Sequence, residues 1–170
     1  MDFLELAEGR FSVREFADRK VEREAIEKIL RAGQAAPTAC NRQPQRIFVI
    51  ESEDGLAKFR KCTKAHHNAP LAILVCFDKD ECWIRDYDGK ASGDIDASIV
   101  CTHMMLEAAN LGVGSTWVMH YIPEAVKVEF ELPDNLESTA LLVMGYPAEG
   151  VTPNPLHYKM KPIEETVKFL

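Results

Sequence analysis

The chain has 170 residues, a length that a single domain accounts for. Hydrophobic residues make up 46% and charged residues 28%, ordinary values for a globular protein, and there is no run of about 18 apolar residues to suggest a membrane span. Net charge is −7, from 20 basic and 27 acidic residues, which argues against nucleic acid as the main partner because phosphate contacts need a basic surface. The start, Met1-Asp2-Phe3-Leu4-Glu5, is acidic and lacks a signal-peptide pattern, so a cytoplasmic location is expected. Cys40, Cys62, Cys76, Cys82 and Cys101 are an odd set without CxxC and read as free thiols in a reducing compartment.

Residues 2–9 predict a short helix with Phe3, Leu4 and Leu6 inward. Residues 22–35 predict a stronger one, because Ala25, Ile26, Ile29, Leu30 and Gly33 recur at helical spacing and acids fill its first turn. Pro37 stops it. A strand is expected over 46–51, a helix over 53–65, and a strand covered on both faces over the apolar run 71–77. The charged stretch 79–92, with Trp83 and Tyr87, reads as a loop or mobile arm. Residues 94–111 predict the longest helix, apolar around much of its circumference and therefore central in the core or in a subunit interface. A strand edge over 113–118 follows, then a short helix opened by Pro123, a buried strand over 139–146, and a Pro-punctuated end with an amphipathic stretch over 163–170. Periodicity leaves a doubly wound fold and a three-layer α+β sandwich both open.

Two segments carry the chemistry. Arg10-Phe11-Ser12-Val13-Arg14-Glu15-Phe16 puts two guanidinium groups and a hydroxyl within five residues, forked cationic donors of the kind that hold a phosphate. Ala36-Pro37-Thr38-Ala39-Cys40-Asn41-Arg42-Gln43-Pro44 gathers hydroxyl and amide groups between prolines that fix the backbone, a way to read a heterocycle. Each segment alone is more often a surface turn or a helix-to-strand loop. There is no GxGxxG and no GxxxxGK[ST], so neither a Rossmann nor a P-loop site is supported.

These segments resemble the FMN-dependent nitroreductase family, whose chains open with Arg-x-Ser-x-Arg-x-Phe, here Arg10, Ser12, Arg14 and Phe16. A family pattern Pro-Ser-x-x-Asn-x-Gln-Pro is matched by Pro37, Thr38, Asn41, Gln43 and Pro44. Leu111-Gly112-Val113-Gly114-Ser115-Thr116-Trp117, then Gly145-Tyr146-Pro147, then Lys159 and Lys161 follow in the family's order. The resemblance implies an α+β fold: a three-layer αβα sandwich with a central mixed, mostly antiparallel sheet, in an intertwined homodimer. It implies a single FMN-binding domain over 1–170, with 150–170 as a C-terminal arm.

By the same resemblance, Arg10, Phe11, Ser12 and Arg14 would hold the FMN phosphate and ribityl chain, with Lys159 and Lys161 approaching from the tail. Pro37, Thr38, Ala39, Asn41 and Gln43 would reach the flavin from the partner subunit. Trp117, Val118, Met119 and His120 would run beside the isoalloxazine, with a backbone N–H near Met119 or His120 facing N5. Gly145 would permit close backbone approach at a strand end. No catalytic side chain is implied, because the flavin performs the hydride chemistry. The implied reaction passes hydride from NADH or NADPH to nitroaromatic or quinone acceptors. A flavin storage or sensor protein without turnover, and another chemistry on the same scaffold such as dehalogenation or flavin breakdown, are the alternatives. Phe11 stands where many relatives carry a basic residue, Thr38 stands for Ser, Gln45 for an aromatic and Lys161 for Arg, and the lid region is reduced to 79–92.

Other features read as structural. Cys62 and His66 have a spacing that can share a metal, but no second ligand pair lies nearby, so a polar helix terminus is the preferred reading and no metal is expected. Asp94 and Asp96 read as ordinary charges at a helix start, and Cys40 as an unreactive small filler. Trp83 and Tyr87 could equally stack over a flat substrate or pack on a partner subunit.

Overall fold

The computed structural model describes residues 2–170. Four strands, β1 (Gln45–Ile50), β2 (Leu71–Asp78), β3 (Gly114–Val118) and β4 (Leu136–Gly145), form one sheet in the order β1-β2-β4-β3. All three pairings are antiparallel, and the one parallel contact among the described residues is the isolated bridge between Ser12 and Ser115. The helices are α1 (Phe3–Gly9), α2 (Arg23–Gln34), α3 (Glu53–Cys62), α4 (Gly93–Asn110), α5 (Pro123–Glu129) and the single turn α6 (Ile163–Thr166).

β2 is buried at all eight positions, and its alternate residues feed two cores. Leu71, Ile73, Val75 and Phe77 meet Ile26 and Ile29 of α2 and Ala97, Val100, Cys101 and Met104 of α4. Ala72, Leu74 and Cys76 meet Leu56 and Phe59 of α3 and Val126 of α5 on the other face. The result is a three-layer α/β/α arrangement built by the two-residue period of the strands. Burial raises the Cys76 and Cys101 thiols to about 12, so both are inert fillers of the core at neutral pH.

Several elements depart from expectation. α1 is held by Asp2, whose carboxylate accepts the Leu4 N–H, and by Glu5, which accepts the Asp2 N–H, rather than by packing. Phe3 and Leu4 are exposed there. α3 ends at Cys62, three residues early, where the chain turns through His67 and Asn68 at positive φ. Residues 79–92 are tied down rather than free: Ile84 bridges Ala91, and the Arg85 N–H donates to the Lys90 carbonyl at 2.9 Å. The tail over 163–170 forms only one helical turn, and Ile163, Phe169 and Leu170 are exposed.

α4 lies close on the sheet because Gly93 has no side chain. A Cβ there would stand 2.1 Å from Cδ2 of the Phe77 ring. Gly93→Ala should therefore lower stability by about 1–3 kcal/mol by overpacking. Gly33→Ala should move it far less, because the nearest atom is Cγ of the flexible Met104, at 2.8 Å. Urea unfolding midpoints of the two variants check this; equal losses would contradict it.

Glu22, the residue before α2, accepts the Tyr146 hydroxyl and pairs with Arg19, whose guanidinium stacks 4.1 Å over the Tyr146 ring. The Tyr146 hydroxyl, then Arg19, holds the Glu22 carboxyl down at about 2, against an ordinary value of 4.5. A lowered carboxylate stabilises the fold above the ordinary value and loses that contribution as pH falls toward about 2. Glu22→Gln should flatten stability against pH over that window, measured by denaturant unfolding at stepped pH.

Candidate functional site

The first arginine segment is laid along the edge strand β3. The Val13 N–H donates to the Ser115 carbonyl at 3.1 Å, and the Thr116 hydroxyl donates back to the Val13 carbonyl. Gly114 makes room, since a Cβ there would stand 2.6 Å from Val13. Val13 is thereby buried, Arg10, Phe11 and Ser12 are half-buried around it, and Arg14 is exposed. A cavity of about 150 Å³ lies between Gly9–Val13 and the Gly112–Ser115 turn.

Arg10 is half-buried, and its hydrogen-bond partner among the described residues is the Met105 thioether on α4, at 3.2 Å. Burial lowers its pKa, though a guanidinium stays charged at any physiological pH. A cation desolvated against a weak sulfur acceptor, without a carboxylate, is poised for an anion. Arg14 donates to the Ser12 carbonyl at 3.3 Å. Its charge reaches the turn after α3, where burial first, then Arg14 and His66, lower the pKa of His67.

The tail joins this group. The short 3-10 turn Pro155–Tyr158 brings His157 Nε2 within 3.0 Å of the Glu8 carbonyl and its ring edge-on to Phe11 at 6.5 Å. Lys159 follows that turn and is exposed, as is Lys161.

The second segment is shaped by local bonds and one buried carboxylate. Thr38 Oγ accepts the Gln43 N–H at 3.0 Å, and the Thr38 carbonyl accepts the Asn41 N–H at 3.0 Å. Cys40, Asn41 and Gln43 all have φ near +50°, an uncommon backbone for residues other than glycine. Asp96, 2% exposed, accepts the Ala39 N–H at 2.9 Å on one oxygen and the Ser92 hydroxyl at 2.7 Å on the other. Ser92 in turn accepts the Trp83 N–H. Asp96 is thus not an ordinary charge at a helix start: it fastens the 37–44 loop and the 79–92 segment to α4. The tight turn leaves Pro37, Asn41 and Gln43 exposed and Thr38 and Ala39 half-buried. Cys40 is exposed, which corrects its reading as a filler.

The two segments do not meet within one chain. Ser12 bridges Ser115 beside Met144 and Leu71, at one corner of the sheet. The 37–44 loop enters β1 at Gln45, opposite Phe77, on the other edge strand. The corners are separated by about 20 Å along the strands and about 14 Å across three strand spacings.

Other expected residues fall into place unevenly. Trp117 is half-buried against the first core, and the Val118 side chain is buried in the second, which leaves Val118 only its backbone for a ligand. Met119 and His120 are exposed at the end of β3, and the His120 carbonyl accepts the Thr63 hydroxyl at 2.5 Å. At Gly145 the close approach is made by the chain itself: a Cβ would meet Pro70 at 2.8 Å and Phe16 at 2.9 Å. Cys62 and His66 serve separate local bonds, the thiol to the Lys58 carbonyl and the ring nitrogen to the Asn68 N–H. Asp96, Met105 and His157 were not legible as site residues, because each acts through a contact more than 50 positions away in sequence.

A sheet sandwiched between helix layers, with an arginine segment laid along one edge strand and a strained polar loop entering the other, defines a three-layer α+β protein. The comparisons give the family. A profile described as Nitroreductase family matches residues 7–67 and 62–146. The chain belongs to the nitroreductase family. A nitroreductase family protein from Clostridium difficile 630 is 47% identical and superposes with a TM-score of 0.94 over 99% of this chain and 98% of its own. A Methanothermobacter thermautotrophicus protein, provisionally named an NADH dehydrogenase/NAD(P)H nitroreductase, is 30% identical over 88% of this chain and 80% of its own. An FMN-dependent nitroreductase from Clostridium difficile R20291 is 25% identical, with a TM-score of 0.79 over 98% of each chain.

Asp96→Ala should release the 37–44 loop. It strands the Ala39 N–H and the Ser92 hydroxyl, at about 1–3 kcal/mol for an unsatisfied buried group. Amide exchange at residues 38–43 should quicken, and Asp96→Asn, which keeps one acceptor oxygen, should restore part of the protection. Unchanged exchange in Asp96→Ala would show that the local bonds suffice.

Proposed function

We propose that this chain is an FMN-dependent NAD(P)H oxidoreductase that works as a homodimer on electron-poor acceptors such as nitroaromatics and quinones. The observation that carries the reading is Arg10, half-buried with a thioether where a salt-bridge partner would be expected. FMN fits that donor set: its phosphate would take Arg10, with Ser12 and Arg14 along the ribityl chain and Lys159 and Lys161 adding charge from the tail. The names of the relatives point the same way, as an NAD(P)H nitroreductase and an FMN-dependent nitroreductase.

The diagonal separation of the two segments supports the dimer. One chain offers about 150 Å³ beside Arg10, below the roughly 300 Å³ at which ligand pockets usually begin. A second copy would complete the site by bringing its Pro37, Thr38, Ala39, Asn41 and Gln43 against the first chain's Arg10–Arg14 and Trp117–His120. α4 has a partly exposed outer face of Ile95, Ser98, Ile99, Thr102 and His103, lining a groove of about 440 Å³ where a second copy can pack.

When bound, FMN supplies hydride acceptance and donation, which needs no acid–base triad from the protein. The chain's own part is to hold and orient. Arg10 would neutralise the phosphate end and Arg14 would add charge along the ribityl chain, the 37–44 loop would offer hydroxyl and amide groups in a fixed geometry, and Met119 and His120 would border the ring. One site serving reductant and acceptor in turn gives ping-pong kinetics.

The purified protein should be yellow and should bleach anaerobically with NADH or NADPH. Flavin bands that persist would favour a binding or sensor role, and a colourless protein that takes up no FMN would sink the reading. Arg10→Ala should weaken FMN retention by about 1.5–3 kcal/mol, the worth of a charge-assisted hydrogen bond. Sedimentation should give a dimer; an FMN-loaded monomer would overturn the shared site.

A further inference from the structure

Next to the site described above, and sharing His120 with it, one cavity stands out by its charge. It has a volume of about 210 Å³ and opens between the end of α3 and the segment that follows β3. Arg60, Lys61, Lys64, Thr63 and His120 line it. Residues 55–77 hold four Lys and Arg and no Asp or Glu, in a chain whose net charge is −7.

Cations in the last turn of a helix answer its dipole, and that accounts for Arg60 and Lys61. It does not account for Lys64 or His120, which lie beyond the helix. Lys61 is already neutralised by Glu129, at 2.9 Å. Arg60 and Lys64 have no ion-pair or hydrogen-bond partner among the described residues, and both, though exposed, line the cavity. Thr63 is fixed by its bonds to the His120 carbonyl and the Ala65 N–H, which ties the two walls of the cavity together. A guanidinium, an ammonium and an imidazole lining one concave surface are a donor set that suits a phosphate.

We propose that this cavity binds a phosphate of the nicotinamide dinucleotide reductant. The inference rests on the reductase reading, which makes a dinucleotide the reductant. Its His120 wall is the end of the Trp117–His120 segment that would border the flavin, so a dinucleotide anchored here would lie beside the ring. A chain of net −7 repels a dinucleotide, and a 2′-phosphate adds about −1.5 to −2 more charge; a local basic receptor offsets that repulsion at the mouth of the site.

The test uses the FMN-loaded protein and isothermal titration with adenosine 2′,5′-bisphosphate, inorganic pyrophosphate, NADP⁺ and NAD⁺. The Arg60→Ala/Lys64→Ala double variant should bind the bisphosphate at least tenfold more weakly, as loss of charge-assisted contacts requires. Lys127→Ala, which removes a cation paired with Asp134 elsewhere on the surface, should change nothing. A loss confined to the bisphosphate and NADP⁺ assigns the 2′-phosphate and predicts a raised KM for NADPH alone. An equal loss for NAD⁺ and pyrophosphate assigns the bridging pyrophosphate. Should the double variant misfold by circular dichroism, Lys64→Ala, outside the helix, carries the test with a smaller loss of the same pattern. Affinity within twofold of the parent in a folded, FMN-loaded variant overturns the proposal, as does the absence of bisphosphate binding in the parent protein. If binding depends on Arg60 and Lys64 but neither NADH nor NADPH reduces the flavin, the phosphate site stands and the reductase reading fails.

Discussion

The pairing of β2 with β4, buried on both faces, is the constraint from which the rest of the molecule follows. Leu71–Asp78 has no solvent-facing side, so helices must cover both faces of the sheet: α2 and α4 on one, α3 and α5 on the other. With two interior strands fixed, β1 and β3 become the edges. Every segment with candidate chemistry is attached to one of those edges or to a helix end. The sheet therefore sets the separation of the arginine segment from the polar loop, and that separation is too large for one small ligand to span.

The two segments are held by different physics. Arg10–Arg14 is fixed by an irregular strand contact, with Val13 as the buried peg and Ser115 and Thr116 as partners. The 37–44 loop is fixed by its own hydroxyl and by a buried carboxylate at the start of α4. Three positive-φ residues in such a short stretch need that kind of external hold, since the backbone would relax without it. One carboxylate oxygen is shared with Ser92, so the loop and the 79–92 segment are positioned by the same group.

Charge is distributed against the average. The chain is acidic overall, yet Arg10, Arg14, Arg60 and Lys64 have no ion-pair partner among the described residues. Surface pairs such as Lys61 with Glu129 and Arg85 with Asp88 are ordinary and contribute little to stability. Arg10 is the informative cation, because it is half-buried with a thioether as its partner.

Much of the architecture was legible in the chain. The seven-residue apolar run of β2, the periodicity of α2 and its stop at Pro37 are local properties, and local physics places them. Phe3 and Leu4 were misjudged because a seven-residue helix can be held by a capping box without burying a face. The arginines and the polar loop stood out as candidate chemistry because their residue types and spacing are themselves the signal. Asp96 was not, because a carboxylate at a helix start looks the same whether it faces water or clamps a loop 57 positions away. Sequence alone determined which elements form and which side chains can bind an anion. Only the tertiary structure decided which of those side chains are desolvated, which are already paired and which stand at opposite corners of one sheet. Burial and pairing depend on contacts between residues far apart in the chain, and no local pattern encodes them.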